Sequence, residues 1–167
     1  MEIVVRPARP GDGAGIARCH RDSAATYVDQ APDLFRMPDE EGYVEWIEAD
    51  LSSEPRDGAL ALVAEVDREV VGHLEARTLE PIDSAGWQSV RNLGQRRVFV
   101  DALAVAAAHR RTGAGRALMA ATEDWARRQG AAVVLLDTWA GSPLSVPFYE
   151  SLGYARRAIR FEKPLTP

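Results

Sequence analysis

The chain has 167 residues, 46% of them hydrophobic and 27% charged, with a formal net charge of −5. These proportions suit one globular domain, residues 1–167, and the acidic balance argues against binding nucleic acid. No apolar run approaches the roughly 20 residues of a membrane span, and Met1-Glu2-Ile3 opens no signal peptide, so a cytoplasmic protein without a membrane partner is expected. Cys19 is the single cysteine, which excludes an internal disulfide and a thiolate-rich metal site. His20, His73 and His109 have no helical metal-ligand spacing, so no metal is expected.

In chain order, Ile3 to Arg6 reads as a short strand ended by Pro7. The cluster Gly11-Asp12-Gly13-Ala14-Gly15 places Ile16 where a dinucleotide fingerprint needs a third glycine. It therefore reads as a turn with Asp12 as helix N-cap. The helix runs from Asp12 to about Tyr27, with Ile16, Cys19, His20, Ala24 and Tyr27 on one stripe. Prolines break the chain between Pro32 and Pro38, and a second helix is expected from Asp39 to Leu51 with Tyr43, Trp46, Ile47 and Leu51 at helical spacing. Asp33, Asp39, Glu40, Glu41, Glu45, Glu48 and Asp50 read either as a solvated face or as a negative rim that attracts a cationic amine. Ala59 to Val66 and Val70 to Leu79, joined at Asp67-Arg68, read as an antiparallel hairpin. Glu80 to Gln95 has no clear period and reads as a long loop.

Arg97 to Val105 reads as a strand, Gly113 to Gln129 as a helix buried through Leu118, Ala121 and Trp125, and Val133 to Trp139 as the next strand. Gly130 is a natural C′ residue for that helix. A strand–helix–strand unit of this length implies parallel pairing. Between strand and helix lies Arg110-Arg111-Thr112-Gly113-Ala114-Gly115. A glycine-containing turn that opens a helix leaves backbone N–H groups free for an anion, usually a phosphate. Arg96, Arg97, Arg110, Arg111 and Arg116 gather basic charge that suits it. A P-loop is excluded because Arg116 and Ala117 stand after Gly115, and a dinucleotide fingerprint because Leu118 takes the third glycine position. A last helix is expected near Pro143 to Leu152, starting there or at Ser145 with Pro147 in its first turn, and a last strand from Ala155 to Lys163.

The pattern Arg-x-x-Gly-x-Gly, filled by Arg110, Gly113 and Gly115, resembles the acetyl-CoA motif of the GNAT superfamily of N-acetyltransferases. Val100 to Val105 resembles that family's central strand, and Tyr149-Glu150-Ser151-Leu152-Gly153-Tyr154 its Tyr-x-x-Leu-Gly-Phe/Tyr ending. The resemblance implies an α/β (α+β) fold, a mixed and mostly antiparallel sheet of six to seven strands with about four helices in the order β-α-α-β-β-β-α-β-α-β. It implies acetyl-CoA as acyl donor, held by amides across Arg111, Thr112, Gly113, Ala114, Gly115 and Arg116 next to Arg110. Its pantetheine arm would lie along Leu103, Ala104 and Val105, with Ser142 in place of the family's usual Asn. Tyr149 takes the position of the thiol-protonating tyrosine. Asp101 takes that of an acidic base, expected to be buried on the strand face it shares with Phe99, Leu103 and Val105. Glu75, Asp137 and His73 stand in reserve for that base. Tyr27, Phe35, Tyr43, Trp46 and Trp87 are candidates to line an acceptor cleft. The implied reaction acetylates a primary amine of a small molecule or peptide by direct transfer, and family habit suggests a homodimer. A CoA-binding module without turnover and a transferase of a longer acyl chain remain open alternatives.

Overall fold

The computed structural model describes residues 2–163 and divides the chain into two compact units, Met1–Asp137 and Thr138–Pro167. The first holds β1 (Val4–Pro7), α1 (Gly13–Gln30), α2 (Tyr43–Leu51), β2 (Ala59–Val66), β3 (Glu69–Leu79), β4 (Arg97–Val105), α3 (Ala114–Arg128) and β5 (Val133–Leu136). The sheet runs in sequence order β1-β2-β3-β4-β5; each pair is antiparallel except β4 with β5. The β2–β3 hairpin turns through Asp67 and Arg68, both with positive φ (48° and 68°). Left-handed conformations at both central residues match the twist of the flanking strands.

Two bulges re-aim side chains. Glu75 pairs with Ala102 and Ala76 with Val100, so Asp101 is an extra residue in β4; Val71 plays the same part in β3 opposite β2. One extra residue shifts the two-residue alternation by one. Phe99 faces the same side as Arg77, and beyond the bulge Ala102 and Ala104 follow it, opposite Glu75 and His73. Leu103 and Val105 therefore face the other side, opposite Leu74 and Gly72, which corrects the expectation that they share a face with Asp101.

One sheet face is covered by α1 and α2 through the buried cluster Ile16, Ala17, Ile47, Val63 and Val70. The other is covered by α3, which buries Ala114, Leu118, Met119, Thr122 and Ala126 rather than a stripe through Trp125. Gly72 permits this approach: a Cβ there would stand 3.0 Å from Leu118 Cδ1. Asp12 sits at the N-cap position of α1 but makes no side-chain cap bond. Its carboxylate is held instead by Arg6 at 2.7 Å and 2.8 Å, while Glu48 of α2 accepts from the amides of Gly11 (2.8 Å) and Gly13 (2.6 Å). The cap thus comes from another helix and ties α2 to the start of α1. Gly130 ends α3 with φ 70°, donating to Arg127 O while Ala131 donates to Ala126 O, as a left-handed helix end requires.

The second unit contains α4 (Ser145–Ser151). Ser142 Oγ accepts from the Ser145 amide at 3.0 Å, which sets the start of the helix and leaves Pro147 within the first turn. The helix closes at Gly153 (φ 89°) in the same left-handed manner. No strand forms over 155–163: its two larger apolar residues, Ile159 and Phe161, are 75% and 91% exposed. Two side chains in alternation bury no face, and extended propensity does not order a strand without a partner. Among the described residues the sheet therefore has five strands, against the six to seven expected, and β5 stops at Leu136 rather than Trp139.

Candidate active site

Beyond Val100 the two edges of β4 differ. On one side Ala102 to Val105 stay paired with β3; on the other, pairing with β5 ends at Val100 opposite Leu136. Among the described residues no strand occupies the β5-side edge of residues 101–105, so its backbone groups, apart from the Val105 carbonyl that accepts from Arg110, can meet an extended ligand. The chain leaves this edge through a short turn, Ala107–His109, and enters α3. Arg111 (φ 63°) and Gly113 (φ 104°) both adopt the left-handed conformation, and Gly113 is the residue before the helix. The first amides of α3 have no intrahelical acceptor, which makes this corner an anion cradle. Thr112 Oγ1 donates to His109 O at 2.7 Å and stiffens the turn. Ala114 is buried at the helix start.

Arg110 departs from the expected role as a phosphate-facing cation. Its guanidinium donates to Thr26 Oγ1 (2.8 Å), Asp22 O (2.7 Å) and Val105 O (3.4 Å), while Asp22 Oδ2 accepts from the Ala107 amide at 2.6 Å. This arginine clamps the turn to α1. Arg96 and Arg97 lie at the opposite end of β4, engaged with Glu80, so the basic residues do not form one patch.

On the α1–α2 side, a cleft of about 250 Å³ is lined in part by His20, Tyr43, Asp50, Arg56, His73 and Glu75. His20 comes from α1, Tyr43 from α2, and His73 and Glu75 from β3, so the group exists only once the helices pack on the sheet. His20 Nδ1 lies 2.8 Å from the Tyr43 hydroxyl, and His20 Nε2 lies 2.9 Å from His73 Nδ1. His73 is 1% exposed and its Nε2 has no hydrogen-bond partner; Glu75 Oε1 stands 3.6 Å away. Burial, with the neighbouring His20 charge, pushes His73 down to about 3. Burial also lowers His20. Glu75 is raised by burial and then by the negative fields of Asp50 and Asp101, and Tyr43 by burial and then by Glu75. The cleft thus holds neutral imidazoles beside a carboxyl group that takes a proton more readily than usual.

Asp101 is not buried as expected: its side chain is 35% exposed and Arg77 Nε donates to it at 3.0 Å. The bulge turns it toward Arg77, whose guanidinium also lies over the Phe99 ring. Among the reserves, Glu75 is the carboxylate in the cleft. Ser142 and Tyr149 belong to the second unit, where Ser142 caps α4 and the Tyr149 ring packs edge-on against Phe148 at 5.1 Å. Tyr43 and Trp46, named as candidate cleft aromatics, both line this cleft; His20 was not singled out chemically in the sequence, where the available signal was that it shares the buried stripe of α1 with Ile16 and Cys19.

A sequence model of the acetyltransferase (GNAT) family matches residues 23–154. The chain belongs to this family. Among solved structures, a mutant of the BH1408 protein from Bacillus halodurans shares the fold with a TM-score of 0.81 at 21% identity, covering 98% of this chain and 99% of its own. An aminoglycoside acetyltransferase from an uncultured soil metagenomic sample gives 0.64 at 24% identity, covering 99% and 100%. A second soil-metagenomic aminoglycoside acetyltransferase, in complex with sisomicin, gives 0.65 at 17%, covering 98% and 97%. No similar sequence was found among curated proteins. Among the described residues no helix is long and apolar enough to cross a membrane.

Proposed function

We propose that this GNAT-family acyltransferase moves the acetyl group of acetyl-CoA directly to a primary amine of a small molecule or peptide. The observation that carries the reading is the one-sided pairing of β4. A strand edge open from Asp101 to Val105 runs into a turn whose left-handed Arg111 and Gly113 aim amides toward the start of α3. An extended amide-bearing arm ending in a diphosphate has the matching shape: the arm pairs with Leu103 to Val105, and the diphosphate sits on the amides from Arg111 to Arg116. Acetyl-CoA supplies the thioester, and main-chain N–H groups on the edge polarise its carbonyl.

The attacking amine must lose a proton, and Glu75 takes it in this reading. Glu75 stands directly across from Ala102 at the head of the open edge and lines the cleft on the α1–α2 side. A raised pKa brings it toward the operating pH, where a general base works best. Tyr149 is assigned the proton for the departing thiolate on its place in the Tyr-x-x-Leu-Gly-Tyr ending alone. The acceptor is a cationic amine, attracted by Glu75, Asp50 and Asp101. Sisomicin, a polyamine and a lysine peptide are the first probes.

The test is release of free thiol from acetyl-CoA across these amines, together with the melting temperature in excess acetyl-CoA. Amine-dependent thiol release and a raised melting temperature are expected. Stabilisation without thiol release from any amine would leave a binding module in place of the transferase, and no stabilisation would remove the donor site as well.

A further inference from the structure

The Tyr43–His20–His73 chain ends on a nitrogen without a partner, buried and facing the carboxylate assigned as base. A neutral imidazole has one N–H and one lone pair, and burial favours the neutral form of both rings. Two contacts, each needing one donor, then allow two arrangements. In one, Tyr43 O–H donates to His20 Nδ1, His20 Nε2–H donates to His73 Nδ1, and His73 keeps its proton on Nε2. In the other every donor is reversed, and His73 Nε2 becomes a bare lone pair facing Glu75 Oε1 at 3.6 Å. The second sets two acceptors against each other, which is repulsive and leaves the buried His73 Nε2 without a donor. The first aims an N–H at a carboxylate. The remaining charged groups near the cleft do not reverse this preference: Asp50 and Asp101 add negative field on the side of Glu75, and Arg56 and Arg77 pair with those two carboxylates at 2.8 Å and 3.0 Å.

We propose a tautomer lock in which the Glu75 carboxylate selects His73 as an Nε2–H donor while His20 and Tyr43 satisfy its far nitrogen, making all three positioning residues for the base. This rests on the transferase reading above for its catalytic consequence, though not for the lock itself. The 3.6 Å gap exceeds a hydrogen bond, and such contacts in an unliganded site commonly tighten when substrate binds. When the amine attacks, its N–H bond breaks and a new O–H bond forms on the second oxygen of Glu75. The electron pair stays on nitrogen, and no proton enters the histidine chain. The donor from His73 offsets part of the rise that burial imposes on Glu75 and fixes which oxygen faces the amine. The logic parallels an imidazole whose tautomer is set by the hydrogen bonds its nitrogens make.

The experiment uses the full chain labelled with 15N and reads the imidazole nitrogens by long-range 1H–15N NMR. His73 and His20 are both expected as the Nε2–H tautomer at about pH 7.5, roughly a unit above the ordinary imidazole midpoint. Glu75→Leu removes the acceptor that selects the tautomer, and a His73 Nδ1–H population is expected to appear, with His20 switching to Nδ1–H in step. A wild-type His73 carrying its proton on Nδ1, or a His73 tautomer indifferent to Glu75→Leu, overturns the lock. The second arm is kinetic, with the best amine of the thiol-release panel. His20→Leu should lower kcat by about 10- to 100-fold, the usual weight of an orienting partner, with KM for acetyl-CoA unchanged and the acid limb of kcat moved to higher pH. His20→Gln, whose amide N–H can still donate to His73, should recover most of the loss. Equal losses in His20→Leu and His20→Gln, with the acid limb unmoved, also overturn the proposal. Should no amine release thiol, the transferase reading fails, and the tautomers alone decide whether the lock exists.

Discussion

The turn that enters α3 and the cleft beneath α1 are built from different materials. The turn is made of backbone: its chemistry lies in amides, in the left-handed φ of Arg111 and Gly113, and in the free edge of β4. Its side chains mostly serve to hold it, as Arg110 does by reaching back to Asp22 and Thr26. The cleft is made of side chains that lie far apart in sequence, Tyr43 being 23 positions from His20 and His73 53 positions from it. A backbone site can be recognised from a local motif, because the conformation that makes it is local. A side-chain site needs the helices to dock before any of its distances exist.

Breaking the turn should therefore have the largest single effect on the donor. Gly113 has φ 104°, a conformation L residues rarely adopt, so Gly113→Asp adds strain as well as negative charge at the proposed diphosphate position. At acetyl-CoA near 100 times its dissociation constant, wild type should gain about 2.7 kcal/mol from binding. The substitution should abolish that gain, read as the loss of the acetyl-CoA-dependent shift in melting temperature. A full shift in the variant would show that the cradle is not where the donor binds.

Arg110→Ala separates support from contact. It removes the clamp between turn and α1, so chemical denaturation should report a loss of about 1–3 kcal/mol without any ligand present. If Arg110 instead served mainly to meet phosphate, the ligand-free stability would hardly change and only KM for acetyl-CoA would rise.

The smallest effect belongs to the cleft and appears as pH dependence. His73 is held near 3 in the fold against an ordinary value of 6.5. Between these limits the unfolded chain binds a proton that the folded chain refuses, so its contribution to stability is full above about pH 6.5 and declines on acidification. The slope should approach roughly 1.4 kcal/mol per pH unit below that point. Urea midpoints measured from pH 7.5 down to 5 should show the decline, and His73→Gln should flatten it. An unchanged slope in that variant would mean that other groups set the acid response.

Much of the fold was legible because its signals are local. The apolar alternation of β2 and β3, the left-handed stop at Gly130 and the glycine turn before α3 each depend on neighbouring residues, and all appear where expected. The misreadings share one cause. Asp101 looked buried because alternation was assumed unbroken, whereas the bulge moves it into the reach of Arg77. Asp12 looked like a cap, but Glu48 reaches the amides first. The segment 155–163 has strand-like composition and pairs with no strand among the described residues. Each outcome was decided by a residue or edge distant in sequence.

What the sequence determined by itself was the family, the order of the main elements and the amide-lined corner, since a strand, a glycine turn and a helix in succession dictate their own backbone geometry. Only the tertiary structure decided which carboxylate faces the cleft, which arginine holds the turn, and that two histidines and a tyrosine share one chain of hydrogen bonds. Those depend on bulges and on helix-to-sheet packing, where shifting by one residue changes which side chain meets which, and no local pattern records that choice.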